Sequence, residues 1–269
     1  MSDSGTFFTS LVSGGLAGTA VDVSLFPLDT IKTRLQSKQG FWASGGFKRI
    51  YAGLGPAAVG SAPNAAVLFC TYDTVKRLSV SKWGFKDSSG LHMVAASVGK
   101  VMACLIRVPV EVVKQRRQAS AGSSSREIVR STFKTEGLKG FYRGYFTTVA
   151  REIPFSLIQF PLWEFLKRKV SDLKGSPTLP WEASLCGSIA GGVSAAITTP
   201  LDVAKTRLML ATAGSTDASL TTAKMLVLIA KENGLGGLFA GVAPRVTWIS
   251  IGGAVFFGVY EKAKSILSQ

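Results

Sequence analysis

The chain has 269 residues, a mean hydropathy of +0.28, only 17% charged residues and a formal net charge of +15. So low a charge fraction excludes an ordinary soluble domain. The bases collect between long apolar runs instead of spreading over a surface, which sets nucleic-acid binding aside and favours an anionic membrane surface.

Six apolar runs of spanning length follow one another, at about 7–28, 50–72, 91–113, 141–163, 183–201 and 238–260. A bilayer core takes about 20 residues of helix. Backbone groups in lipid must bond within their own segment, so helices are the natural assignment. The expectation is an all-α membrane protein with six transmembrane helices and both termini on one side. Residues 1–5 are polar and lack a basic region, so no cleavable leader is expected. Cys70, Cys104 and Cys186 all lie in apolar runs and are expected to be reduced and buried. His92 is the single histidine and has no Cys or His at ligand spacing, so it reads as a helix-end residue. Neither a metal nor a cofactor is expected, and no nucleophile–base set suggests an enzyme.

Three of the runs end in one charge pattern. Pro27, Asp29, Lys32 and Arg34 are matched by Pro109, Glu111, Lys114 and Arg116, and again by Pro200, Asp202, Lys205 and Arg207. The copies lie 82 and 91 residues apart. The chain therefore divides into three tandem units, 1–84, 85–176 and 177–269, within one transmembrane domain. Each unit has a second hallmark. An aromatic-x-Gly turn ends at Gly53, Gly144 or Gly241. Nineteen residues later comes Tyr72, Trp163 or Tyr260. An acid follows at once (Asp73, Glu164, Glu261) and then a base (Lys76, Lys167, Lys264). From the motif proline to the turn glycine the distances are 26, 35 and 41, so length variation collects in a segment outside the membrane.

The segments 32–50, 114–140 and 205–237 hold sixteen Lys and Arg, against eight in 73–90 and 164–182. The bias of bases turns the first set toward the cytoplasm-like side, which in a mitochondrion is the matrix. Gly14 and Gly18, like Gly187 and Gly191, have the spacing that lets helices approach closely. In the second unit Ala96 and Lys100 take those places, and a lysine does not suit such a face.

These motifs together resemble the mitochondrial carrier family over the whole chain. The resemblance implies a six-helix bundle with threefold pseudosymmetry around a central cavity, with three short helices on the matrix side. It also implies residence in the inner membrane, with the termini toward the intermembrane space, and cardiolipin as the anionic lipid beside the aromatic-x-Gly turns. A monomer is expected.

Within such a bundle the repeated charges can form two rings. Asp29, Glu111 and Asp202 alternate with Lys32, Lys114 and Lys205 at the matrix end, with acid and base three residues apart on one helical face. Gln36 and Gln118 can brace a pair there, whereas Met209 stands at the third position. Asp73, Glu164 and Glu261 with Lys76, Lys167 and Lys264 can close the intermembrane-space end. Two such rings make a pair of gates that close in alternation.

An asymmetric solute is encoded where the repeat fails. Asp22, Arg151 and Glu152 are mid-membrane charges without charged counterparts in the other units, and such charges mark a functional site. Arg151 can grip a carboxylate, while Asp22 and Glu152 can neutralise two cations. Gly60 leaves room, Asn64 offers an amide, and Trp248 can stack on a base. An ion pair between Asp22 and Arg151 is the structural alternative. Arg107 and Arg245 lack basic counterparts too, and either aid passage or hold the bundle.

The stretches around Pro27, Pro109 and 151–164 resemble family members that carry S-adenosylmethionine, whose carboxylate, ammonium and sulfonium suit these groups. The expected activity is import of S-adenosylmethionine in exchange for S-adenosylhomocysteine. Another amino acid or a nucleotide, and a non-transporting receptor on a carrier fold, stand as alternatives.

Overall fold

The computed structural model describes residues 21, 23–83, 89–120, 122–211 and 214–252. Asp22, Glu261 and Lys264 lie outside the described residues, as do Gly14, Gly18 and Tyr260. The described elements are all helical: α1 (23–36), α2 (Gly40–Ala43), α3 (Leu54–Trp83), α4 (Ser89–Ala119), α5 (Ser125–Phe141), α6 (Tyr145–Lys174), α7 (Pro180–Ile197), α8 (Thr199–Leu210), α9 (Thr222–Leu238) and α10 (Val242–Gly252).

Local chemistry sets the boundaries. Ser124 and Glu127 form a reciprocal capping box that starts α5. Left-handed glycines, Gly144 and Gly175, bracket α6. Pro180 occupies the first turn of α7, where no backbone donor is needed. The segments after the motif prolines carry α5 and α9, of 17 residues each, but in the first unit only the four-residue α2.

The helices α3, α4 and α6 have 30, 31 and 30 residues, about 45 Å of helix at 1.5 Å per residue. Among the described residues no single helix is both long and apolar enough to cross a bilayer. Two bent pairs meet the length and composition: α7 with α8, at 64°, and α9 with α10, at 55°.

The second and third units differ in helix geometry near the motif proline. The third unit bends at Thr198, where Ser194, Thr198 and Thr199 each donate a hydroxyl to the carbonyl four residues back, at 2.7 Å. Such back-bonding bends helices. In the second unit Ala103, Arg107 and Val108 hold those positions, and α4 runs unbroken through Pro109.

Packing is inverted relative to a soluble protein. Thr30, Thr33, Gln36, Gln118, Thr148, Thr199 and Thr206 are buried, while Leu185, Ile189, Val193 and Ile197 form an exposed stripe along α7. Small and polar residues join helices, and bulky apolar side chains face outward, as in a bilayer. This corrects one expectation. Cys104 and Cys186 are buried, but Cys70 is exposed beside Phe69. An apolar run of sequence does not separate a lipid-facing side from a core-facing one.

Gly60 also sits at a close helix contact. It is buried, and a Cβ there would lie 2.6 Å from both γ-methyls of Val110. The missing side chain makes room for α4 against α3. Gly191 serves in the same way, with Ile249 of α10 at 2.8 Å from its would-be Cβ.

The three aromatic-x-Gly glycines all have positive φ, at 99°, 77° and 73°. A Cβ on Gly53 would lie 3.0 Å from the carbonyl oxygen of Lys114; on Gly144, 3.6 Å from that of Lys205; on Gly241, 3.3 Å from that of Lys32. Each turn thus packs on the backbone of the next unit's motif lysine, and the third returns to the first.

Candidate functional site

The motif charges meet at one end of α1, α4 and α8. Lys114 Nζ lies 2.7 Å from Asp29 Oδ2, Lys205 Nζ 2.6 Å from Glu111 Oε1, and Lys32 Nζ 2.6 Å from Asp202 Oδ2. Each base reaches the acid of the preceding unit, and the first unit's base reaches the third unit's acid. The pairs therefore close into a ring.

Both glutamines join it. Gln118 Nε2 donates to Asp29 Oδ2 at 2.9 Å and its Oε1 accepts from Thr33 at 2.9 Å. Gln36 repeats this between Asp202, at 3.1 Å, and Thr206, at 2.7 Å. At the third position two residues change together. Met209 replaces the glutamine, and Gln115 stands where Thr33 and Thr206 stand in the other units. Gln115 turns back to Glu111 Oε1 at 3.0 Å.

The motif arginines fasten the loop segments. Arg116 holds Glu136 at 2.9 Å, and Arg207 holds Glu232 at 2.9 Å and Asn233 at 2.8 Å. Arg34 is buried and donates to the backbone carbonyls of Gln118, Gly46 and Lys48, at 2.8, 2.5 and 2.7 Å.

Just inside the ring lies the group that breaks the repeat. Arg151 is buried on α6 and its NH2 bonds Glu152 Oε1, while its Nε stands 3.7 Å from Asp202 Oδ1. Glu152 also takes Arg107 NH1 at 3.2 Å. Arg245 reaches Asp202 Oδ2 at 3.8 Å and donates to the Thr198 hydroxyl at 2.9 Å. Arg107 and Arg245, left open by the sequence, thus belong to this cluster. Their signal was the one that marked Arg151: an intramembrane base without basic counterparts in the other units. The ion pair weighed for Asp22 and Arg151 falls outside the described residues.

In this cluster six bases (Lys32, Lys114, Lys205, Arg107, Arg151, Arg245) face four carboxylates (Asp29, Glu111, Asp202, Glu152). Buried polar atoms without a hydrogen-bond partner line it: Nε of Arg151, Oε2 of Glu111 and Oε1 of Gln115. Such groups are costly to leave unmet, and a polar guest satisfies them. Trp248 is half-buried on α10, one turn beyond Arg245.

The other set of repeated charges is arranged differently. Glu164 pairs with Lys167 of its own helix at 2.8 Å, and Lys167 lies over the ring of Trp163 at 3.7 Å. Asp73 is exposed on α3, which also carries Lys76.

A family model described as mitochondrial carrier protein matches residues 3–83, 85–174 and 176–269. The chain belongs to the mitochondrial carrier family. It is a transporter of the mitochondrial inner membrane and not an enzyme. This carrier is 55% identical over 269 residues to the mitochondrial S-adenosylmethionine carrier protein of Mus musculus, covering 99% of this chain and 97% of that one. It is 54% identical over 264 residues to the S-adenosylmethionine mitochondrial carrier protein homolog of Drosophila melanogaster, covering 97% and 93%. Its identity to the putative mitochondrial carrier protein PET8 of Saccharomyces cerevisiae is 50% over 277 residues, covering 98% and 96%.

Proposed function

We propose that this carrier imports S-adenosylmethionine into the matrix in exchange for S-adenosylhomocysteine. The names of relatives at 54–55% identity support the solute. The observation that carries the mechanism is Arg151, set between Glu152 and Asp202 with no hydrogen bond to its Nε.

The solute's carboxylate takes Arg151 in a fork. That frees Glu152 for the ammonium, and Asp22 neutralises the sulfonium. Asn64 bonds the nucleoside and Trp248 stacks on adenine. Because Arg151 also stands beside Asp202, its capture loosens the ring at the shared acid. The ring of Asp29, Lys32, Glu111, Lys114, Asp202 and Lys205, braced by Gln36 and Gln118, is the matrix gate and is closed here. Asp73, Lys76, Glu164, Lys167, Glu261 and Lys264 form the opposite gate, and Glu164 is held within its own helix by Lys167. Exchange follows from a solute that favours release of one ring and closure of the other.

The three units form a six-helix bundle with threefold pseudosymmetry, a reading supported by the cyclic order of ion pairs and glycine contacts. The termini face the intermembrane space, and the carrier works as a monomer. Cardiolipin sits by the aromatic-x-Gly turns. A cleft of about 610 Å³ at Gly144 and Thr222 is lined by Lys139, Arg143, Tyr142 and Phe146, which suits an anionic headgroup and its chains.

The test is exchange in liposomes with labelled S-adenosylmethionine and a competitor panel of S-adenosylhomocysteine, amino acids and nucleotides. Saturable uptake blocked by the first and lost in Arg151→Ala and Glu152→Ala is expected. Uptake at the parent rate in both variants overturns the site.

A further inference from the structure

Lys100 holds the place of a packing glycine, and the structure shows what it does instead. Lys100, Cys104, Arg107 and Glu111 follow one another at steps of four, three and four, so they share one face of α4. Glu111 and Arg107 fix the direction of that face, toward the ion-pair ring and toward Glu152 of α6. Lys100 continues the line to α6, where its Nζ lies 3.3 Å from the hydroxyl of Ser156 and 5.4 Å from the centroid of the Phe160 ring. Glu152, Ser156 and Phe160 stand at successive steps of four on α6. Lys100 thus lies about 16 Å along α4 from Glu111, on the side away from the closed ring.

The bases of this wall differ in what they hold. Arg107 is held by Glu111 and Glu152, and Arg151 by Glu152 beside Asp202. Among the described residues the partners within bonding range of Lys100 are a neutral hydroxyl and an aromatic face. A carboxylate arriving from the side away from the closed ring meets in Lys100 a cation that has no carboxylate to release first. A short, flexible, single-charge ammonium suits transient capture better than the fork of an arginine.

We propose that Lys100 is a further specificity-determining residue, the entry contact that selects a carboxylate-bearing solute and passes it inward to Arg107 and Arg151. The inference rests on the solute reading above. It predicts that Lys100 discriminates between S-adenosylmethionine and its decarboxylated analogue, which keeps the adenosine, sulfonium and ammonium groups.

The experiment measures the KM of exchange in liposomes for both ligands, in the parent, Lys100→Met and Lys100→Arg. In Lys100→Met the KM for S-adenosylmethionine is expected to rise about tenfold, the scale of one charge-assisted bond. The KM for the decarboxylated analogue is expected to stay level or fall, because a like charge has been removed from its path. Lys100→Arg is expected to keep the parent's preference. Equal weakening of both ligands in Lys100→Met, or an unchanged ratio, overturns the inference and leaves the solute reading intact. Loss of the preference in a folded, transporting Lys100→Arg overturns it as well. A parent protein that exchanges neither ligand overturns the solute reading and this inference with it.

Discussion

Gln118 donates its side-chain amide to Oδ2 of Asp29 at 2.9 Å, the same oxygen that Lys114 holds at 2.7 Å. The glutamine is buried, so its bond is shielded from water. Gln118→Ala should lower stability by about 1 kcal/mol, the net worth of one such bond. For a chain of this size that is a Tm lower by about 2–4 °C in a thermal shift.

The unbraced position allows a gain as well as a loss. Met209 stands where a third glutamine belongs, and Gln115 where its threonine partner belongs. The double variant Met209→Gln with Gln115→Thr should complete the third brace on Glu111 and Lys205. The expected result is a raised Tm and slower exchange, because the ring must open in each cycle. Met209→Gln alone should raise the Tm less than the double variant, since Gln115 offers no threonine hydroxyl to the new amide oxygen.

The close approach at Gly60 makes a separate prediction. Gly60→Ala should destabilise the protein by about 1–3 kcal/mol, as an overpacked contact does. Adding Val110→Ala should recover most of that loss, and the competitor profile should not change. A selective change in solute preference would place Gly60 in the binding site.

How much of this was legible beforehand differs by feature. The ring was readable because three copies of one motif fixed both the spacing and the identity of its charges. The braces at Gln36 and Gln118 followed from the same offsets. The contact of Gly60 with Val110 was not legible, because a glycine marks a close approach without saying what approaches. Arg107 and Arg245 were visible as unmatched bases, but their partners lie on other helices, and spacing along one chain does not give distance across a bundle. Lys100 was noticed as an unsuitable packing residue, yet its direction toward α6 needed the fold.

The loop between α6 and α7 should respond to acid. Glu182 accepts from Lys174 at 2.8 Å and from the backbone amide of Leu179 at 2.7 Å. These bonds, that from Lys174 first, hold its carboxyl below the usual glutamate value of 4.5. A lowered value means that the contribution is present above the ordinary value and is lost as pH falls through the lowered one. Protease cleavage at 175–179 should therefore accelerate only at pH below the ordinary glutamate range. Glu182→Gln should cleave faster already at neutral pH and show no such dependence.

Asp202 is the acid on which ring and site converge. It takes Lys32 at 2.6 Å and Gln36 at 3.1 Å, with Arg151 at 3.7 Å and Arg245 at 3.8 Å, and its side chain is only 4% exposed. Asp29 is 22% exposed and pairs with Lys114. Removing a buried acid leaves its bases uncompensated, at a cost of about 3–5 kcal/mol. Asp202→Asn should therefore abolish exchange and lower the Tm much further than Asp29→Asn. The double variants separate the two cases. Lys114→Gln should recover most of the stability lost in Asp29→Asn, because it removes the base left behind. Lys32→Gln should recover little of the loss in Asp202→Asn, because Arg151 and Arg245 remain. Equal recovery in both cycles would mean that Asp202 belongs to the ring alone, and that capture of Arg151 by a solute does not act on the gate through it.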